Sequence, residues 1–264
     1  MSLRWLGVTT VNEIAEALAA RTNPEGSPDW DPVGLQLGDP NSPADRVAVC
    51  HEVTEDVLAR IEDRPVDLLV SYHPLLFRPT NRLLAGRSAG ARSYRLIRAG
   101  VSLLVTHTDF DAAPGGTADA LAGFFDLTDV HPFGDDPDAG LPAIGRFGRF
   151  AGTLGTVDAM VVDEFGPAGL RVNGPRDMRV ESLAVVPGSG SSLIEAAAEV
   201  ADALVTGDVS HHRAVAAADL GLAVVDPGHT ATERPGMRAL VDLVRSVVDD
   251  EVVDLTDIGP QTWG

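Results

Sequence analysis

Four short segments of this 264-residue sequence concentrate side chains able to bind a metal ion or move a proton. In SYHPLLFRP (71–79), His73 follows an apolar run and precedes Pro74, which holds the preceding backbone extended. Imidazole there suits Zn, Fe, Ni or Mn-type ions, although a lone histidine at a strand end needs no such role. In THTDFDAAPGG (106–116), an extended chain would put His107, Asp109 and Asp111 on one side. A histidine with two carboxylates on one side is costly without a cation or hydrogen-bond donors. A bridging carboxylate is also what a two-metal site uses to hold its ions ~3.5–4 Å apart. An Asx-rich turn with Asp111 as helix N-cap fits this segment equally well. In TGDVSHH (206–212), neighbouring histidines on a helix diverge by roughly 100°, so at most one of His211 and His212 faces a site. A supporting or capping role suits Asp208, Ser210, His211 and His212 better than direct ligation. In DPGHTATERPG (226–236), His229 and Glu233 are four apart, which puts them on one face of a helical turn. Glu233 can ligate or act as general base, and surface-loop chemistry is the plain alternative.

Each segment follows a strand-like run, and in open α/β sheets ligands gather beyond the carboxyl ends of strands. If those strands are parallel neighbours, the four segments share one crevice. Short β-branched runs alternate with longer amphipathic stretches, which predicts an α/β fold with a mostly parallel or mixed sheet. A capping box at Thr10–Glu13 opens a helix with a stripe of Ile14, Ala17 and Leu18. Residues 22–45 read as loop, 47–53 as strand, and Thr54 caps the next helix. Strands are expected at 68–71 and 101–106, with helices at 88–99 and 116–125. Later strands fall near 181–187, 203–206 and 222–226, and helices near 156–164, 191–201, 210–219 and 235–248. The pattern divides the chain into a lobe over 1–130, open to completion by the C-terminal segment, a connection over 131–145, and a lobe over 146–264. Strand 101–106 leads to His107 and Asp111, and strand 222–226 to His229 and Glu233, as two similar strand-loop-helix units.

Composition narrows the classes. The formal charge is -19, with 39 acidic residues against 20 basic ones, all arginine. Such a surface repels nucleic acid and anionic membranes. It also suits solubility at high salt, as in a halophilic cytosol. No apolar run approaches a membrane span, and the N-terminus lacks the basic start and apolar stretch of a signal peptide. The single cysteine, Cys50, lies in the apolar run Val47–Cys50 and reads as a core thiol of a cytoplasmic protein. Pro187–Ser192 could offer backbone N–H groups to a phosphate, but a tight turn with a capping box at Ser192–Glu195 fits it better. Trp30–Asp39 is a loop to which composition gives no role.

Taken in order, WDPVGLQLGD (30–39), SYHPLLF (71–77), HTDFDAAPGG (107–116), GSGSSLIEAA (188–197), TGDVSHH (206–212) and DPGHTATERPG (226–236) resemble the NIF-three-like family, also called the GTP cyclohydrolase 1 type 2 family. The resemblance spans nearly the whole chain. It implies two similar α/β lobes with mixed sheets facing a central cleft that holds a dinuclear metal centre. It further implies a hexameric ring and, given the short 131–145 connection, the form without an inserted domain. By motif position the metal ligands fall on His73, His107, Asp111, His229 and Glu233, with two divalent ions (Fe, Zn or Mn) per subunit. Two positions depart from the pattern. The family's His-His-Pro reads Tyr72-His73-Pro74 here, and a neutral phenol is a poor ligand for most divalent ions. Pro32 stands where the family usually has Asn.

These expectations converge on a metal-dependent hydrolase of GTP cyclohydrolase type acting on a small molecule, possible substrates being nucleotides. His107 and Glu233 are the candidate catalytic groups; Arg78, Arg234 or the 188–192 loop could hold a phosphate, and each arginine suits a surface ion pair equally well. A non-catalytic metal-binding scaffold or regulator of the same fold is the rival, and the change at Tyr72 favours it.

Overall fold

The computed structural model describes residues 9–136, 140–249 and 251–259. In chain order the elements are α1 (Val11–Thr22), β1 (Gly34–Leu37), β2 (Val47–Cys50), α2 (Glu55–Asp63), β3 (Leu68–Ser71), α3 (Ala89–Ala99), β4 (Ser102–Val105), α4 (Thr108–Ala112) and α5 (Thr117–Phe124). Then follow β5 (Thr128–Phe133), β6 (Gly145–Thr153), α6 (Leu154–Phe165), β7 (Arg171–Asn173), β8 (Arg179–Val185), α7 (Ile194–Val200), β9 (Ala203–Val205), α8 (His211–Asp219), β10 (Ala223–Asp226), α9 (His229–Val247) and β11 (Val252–Asp254).

Two units form. One holds the described residues up to Phe110 and from Leu240 onward; the other holds Asp111–Ala239. The first carries a five-stranded sheet in the order β1-β4-β3-β2-β11. Its strands are parallel except β1, which pairs antiparallel with β4. Strands β2, β3 and β4 are buried along their whole length, as parallel strands covered on both faces must be. Cys50, Leu69 and Leu103 join Val57, Leu58, Ile61 and Leu96 in one core cluster. Burying such aliphatic side chains contributes about 1.5–3 kcal/mol each. The second unit carries a six-stranded sheet in the order β5-β6-β8-β9-β10-β7. There β8, β9 and β10 run parallel, while β5, β6 and β7 pair antiparallel. The architecture is α/β with two mixed sheets, as the alternation of runs predicts.

Local chemistry sets the boundaries. The expected capping box forms at α1, where the Glu13 N–H donates to Thr10 Oγ1 at 3.3 Å and the Thr10 N–H to the Glu13 carboxylate at 2.8 Å. Thr54 caps α2 and Ser88 caps α3, which ends on Gly100 in the left-handed conformation.

Several expectations are corrected. Residues 131–145 are not a connection between lobes: β5 ends at Phe133, β6 starts at Gly145, and the two pair as an antiparallel hairpin. The chain instead leaves the first unit at Phe110 and re-enters it at Leu240. Asp136 and Leu141 continue that antiparallel pairing beyond the two strands, and a run rich in Pro, Gly and Asp reads the same in sequence whether it turns a hairpin or links two lobes. β5 is exposed over all but its last residue, so it lacks the apolar signature of a strand. β1 lies within the expected loop 22–45, its four residues too few to show a period. α9 starts at His229 rather than at 235 and contains Pro235. Pro235 is the seventh residue of that helix, past the first four N–H groups that have no intrahelical partner, so it removes the backbone bond to the Ala231 carbonyl.

Candidate metal centre

In the first unit three neighbouring parallel strands each run into a histidine. β4 leads to His107, β3 to His73 and β2 to His51. The His73 and His107 ring centroids lie 5.4 Å apart, and those of His51 and His73 4.8 Å apart. Tyr72 sits among them, 1% exposed, its ring 5.6 Å from His51, 5.0 Å from His73 and 5.7 Å from His107.

His107 is held by a carboxylate from the Trp30–Asp39 loop. Its Nδ1 lies 2.9 Å from both oxygens of Asp31, and the Thr108 hydroxyl donates to Asp31 at 2.6 Å. Burial pushes the Asp31 pKa up, but the bonds to His107 and Thr108 outweigh it and hold the carboxyl below its ordinary value. Asp31 is therefore the acceptor, Nδ1 carries the proton, and Nε2 keeps the lone pair that a metal needs. The same loop is tied to the His73 segment by Gln36, whose Oε1 accepts from the Leu76 N–H at 2.9 Å.

The extended geometry expected for 107–111 is not found, because Thr108–Ala112 is helical. At helical spacing 107 and 111 share a face while 109 turns away. Asp109 instead accepts the His107 N–H at 2.6 Å and is buried. Burial pushes its pKa up, against hydrogen bonds from Thr22, His107 and Phe110. Asp109 thus shapes the turn. Asp111, 5% exposed, lies within α4 and does not cap α5, whose N-cap is Gly116.

In the second unit β9 and β10 are parallel neighbours and bring the other two segments together. His229 opens α9, with Nδ1 2.7 Å from Asp208 Oδ2 and Nε2 2.9 Å from Glu233 Oε1. Glu233 is 2% exposed and Asp208 more than half exposed. Burial works to lower the His229 pKa, but Glu233 and Asp208 outweigh it and raise it to about 9. One proton thus holds two donor atoms at the separation that ligands of a single ion adopt. The four segments therefore occur as two pairs on two sheets, not along one sheet.

The glycine-rich turn at 187–192 is not a phosphate cradle. The Gly188 N–H donates to Thr232 Oγ1 and the Gly190 N–H to Thr206 Oγ1, each at 2.8 Å. The capping box at Ser192–Glu195 does not form; a 3-10 turn occupies Ser191–Leu193, and Glu195 pairs with Arg213. Ser210 caps α8, where His211 and His212 are exposed. Arg78 and Arg234 are also exposed. A groove of about 1070 Å³ lined by Thr128, Arg149, Phe150, Arg179 and Glu181 contains none of the candidate residues.

Residues 9–258 match the family model for Duf34/NIF3 (NGG1p interacting factor 3). The chain belongs to this family. Among relatives of the Duf34/NIF3 chain, a GTP cyclohydrolase 1 type 2 homolog of Streptomyces coelicolor is 35% identical, covering 85% of this chain and 82% of the relative. A protein of the same name from Lactococcus lactis is 31% identical, with coverages of 82% and 84%. Reduced HcgD from Methanocaldococcus jannaschii superposes with a TM-score of 0.80 at 28% identity, covering 94% of this chain and 98% of that one. A Bacillus cereus protein related to NIF3 gives 0.84 at 20% identity, covering 94% and 97%, a likeness of fold. Among the described residues, no helix of this Duf34/NIF3 chain is long and apolar enough to cross a membrane.

The donor chemistry fits a divalent metal. An imidazole beyond a strand end, held through Nδ1 by a carboxylate as His107 is by Asp31, is the arrangement in which histidine can turn Nε2 to an ion; His229 is held in the same way by Asp208, with its Nε2 on the Glu233 carboxylate. Sequence reasoning missed His51 and Asp31. His51 carried the same signal as His73, a histidine immediately after an apolar run. Asp31 carried none, since its role depends on a contact 76 residues away.

Proposed function

We propose that this protein is a metal-dependent hydrolase of GTP cyclohydrolase type, with His73, His107, Asp111, His229 and Glu233 as donors to two divalent ions (Fe, Zn or Mn). The observation that carries the reading is the pair of carboxylate-held histidines, Asp31–His107 and Asp208–His229. The names of the curated relatives support the substrate class, a nucleotide whose ring is opened by water. When bound, the metal supplies Lewis-acid activation of water near neutral pH. Asp31 fixes the His107 tautomer and ring plane. Glu233, a buried carboxylate against His229 Nε2, ligates or takes a proton from the attacking water. By family likeness the reading extends to a hexameric ring in the cytoplasm, with no nucleic-acid or membrane partner.

Metal content by plasma mass spectrometry is the direct test, on protein purified without a nickel column in high potassium chloride. Two equivalents per subunit are expected, falling by at least one in His229→Ala and Glu233→Gln, together with turnover of GTP or a related nucleotide. No uptake after reloading would rule the reading out. A non-catalytic metal-binding scaffold or regulator is favoured by one observation, the buried Tyr72 at a position where the resemblance implies histidine. Full loading without turnover of any nucleotide would select it.

A further inference from the structure

The chain has Tyr72 beside His73, at the position where the resemblance to the family implies a second histidine. We propose that His51 supplies that missing donor from the neighbouring strand, so that His51 and His73, rather than residues 72 and 73, form the histidine pair of the metal site. The assignment deepens the metal-binding reading above and rests on it.

Register is the first argument. β2 and β3 are parallel, with Val47 opposite Leu68 and Cys50 opposite Ser71. One step further places His51 beside Tyr72. Laterally adjacent residues of neighbouring strands project to the same face. The rings obey this: His51 stacks on Tyr72 with centroids 5.6 Å apart and planes 14° from parallel. A donor moved from 72 to 51 therefore stays on the same side, displaced by one strand spacing, about 4.8 Å.

Reach is the second. A ring nitrogen of His51 lies within 4.8 Å of one of His73. Two imidazoles on one tetrahedral zinc, each bonded at about 2.0–2.1 Å, hold their nitrogens about 3.3 Å apart. Closing the difference takes at most about 1.5 Å, within reach of small χ rotations. Cys50, the adjacent soft donor, points the other way into the core with Val53, Val57 and Leu69, so of these two neighbours the imidazole is the available ligand.

Environment is the third. His51 is 2% exposed, and a histidine buried to that degree needs partners for its ring nitrogens. Tyr72, itself buried, forms a flat wall against its ring and limits its rotation, as a group orienting a ligand does. The phenol thus changes role from ligand position to support.

The test is metal uptake by the full chain, independent of turnover. Zinc and cobalt(II) content and affinity are measured for the natural protein, His51→Ala, His73→Ala, Tyr72→His and the double variant His51→Ala/Tyr72→His. The cobalt(II) visible spectrum reports the number of imidazole donors. Expected are an at least ten-fold loss of affinity in His51→Ala, matching His73→Ala, and recovery in the double variant, where the histidine returns to its family position. His51→Asn, close to histidine in shape, replaces the alanine variant in both experiments if alanine fails to fold. Uptake and spectrum unchanged on removing His51 from a chain that loads metal overturn the assignment alone. No uptake by the natural chain overturns the metal reading and the assignment with it.

Discussion

Cys50 shows how completely the β2–β3 region excludes water. Burial pushes its thiol up to about 12 from an ordinary 9.0, against a hydrogen bond from Ser71. The folded chain keeps this proton where the unfolded chain releases it. Its contribution to stability is therefore full below pH 9 and is lost as pH rises toward 12. By pH 10 the loss is about 1.4 kcal/mol, one unit of the shift. Urea unfolding between pH 8 and pH 10 should show this decline, and Cys50→Ala should remove most of it; an equal slope in both proteins would contradict the burial argument. The residue scale also explains the two carboxylate–histidine pairs. Asp31 and Asp208 hold Nδ1 of His107 and His229, and the His229 Nε2 lies 2.9 Å from Glu233 Oε1.

At the scale of elements, the turn between β8 and α7 is built around the start of α9. Gly188 has φ +62, and a Cβ there would lie 2.7 Å from Glu233 Oε1 and 3.3 Å from the His229 ring. A Cβ on Gly207 would lie 2.6 Å from the His229 backbone. Gly221, at φ +78, has open space around it. Gly188→Ala and Gly221→Ala therefore share the left-handed backbone cost of roughly 1–2 kcal/mol, but only the first displaces the donors. Thermal melts should show a larger loss for Gly188→Ala, and metal titration a weaker affinity for it alone. Equal behaviour of the two variants would mean that the His229–Glu233 pair yields freely.

The whole molecule carries a net charge of -19 without a single lysine. At low ionic strength the carboxylates repel one another over a Debye length of about 8–10 Å, which shrinks to about 3 Å at 1 M salt. Relief of a couple of kcal/mol of repulsion corresponds to roughly 4–8 °C at this size. The first thermal transition should therefore rise by that order between 0.1 M and 2 M potassium chloride. A flat or falling transition would remove the case for a surface adapted to high salt.

Much of this was legible in the chain. Apolar runs followed by a histidine located β3, β4 and β10 and placed His73, His107 and His229 within three residues beyond them, because a parallel strand buried on both faces must be a continuous apolar run. The four-residue spacing of His229 and Glu233 put both on one helical face for the same local reason. What local pattern could not reach was lateral order. That β2 lies beside β3, which sets His51 against Tyr72, follows from strand pairing between segments about 21 residues apart. That Asp31 meets His107 follows from a loop folding back across 76 residues. The same holds for the division into two units, since β11 reaches β2 from the far end of the chain. Periodicity and capping are encoded within a few residues and can be read from them. Neighbours across a sheet are chosen by the collective burial of every strand at once, and only the tertiary structure decides them.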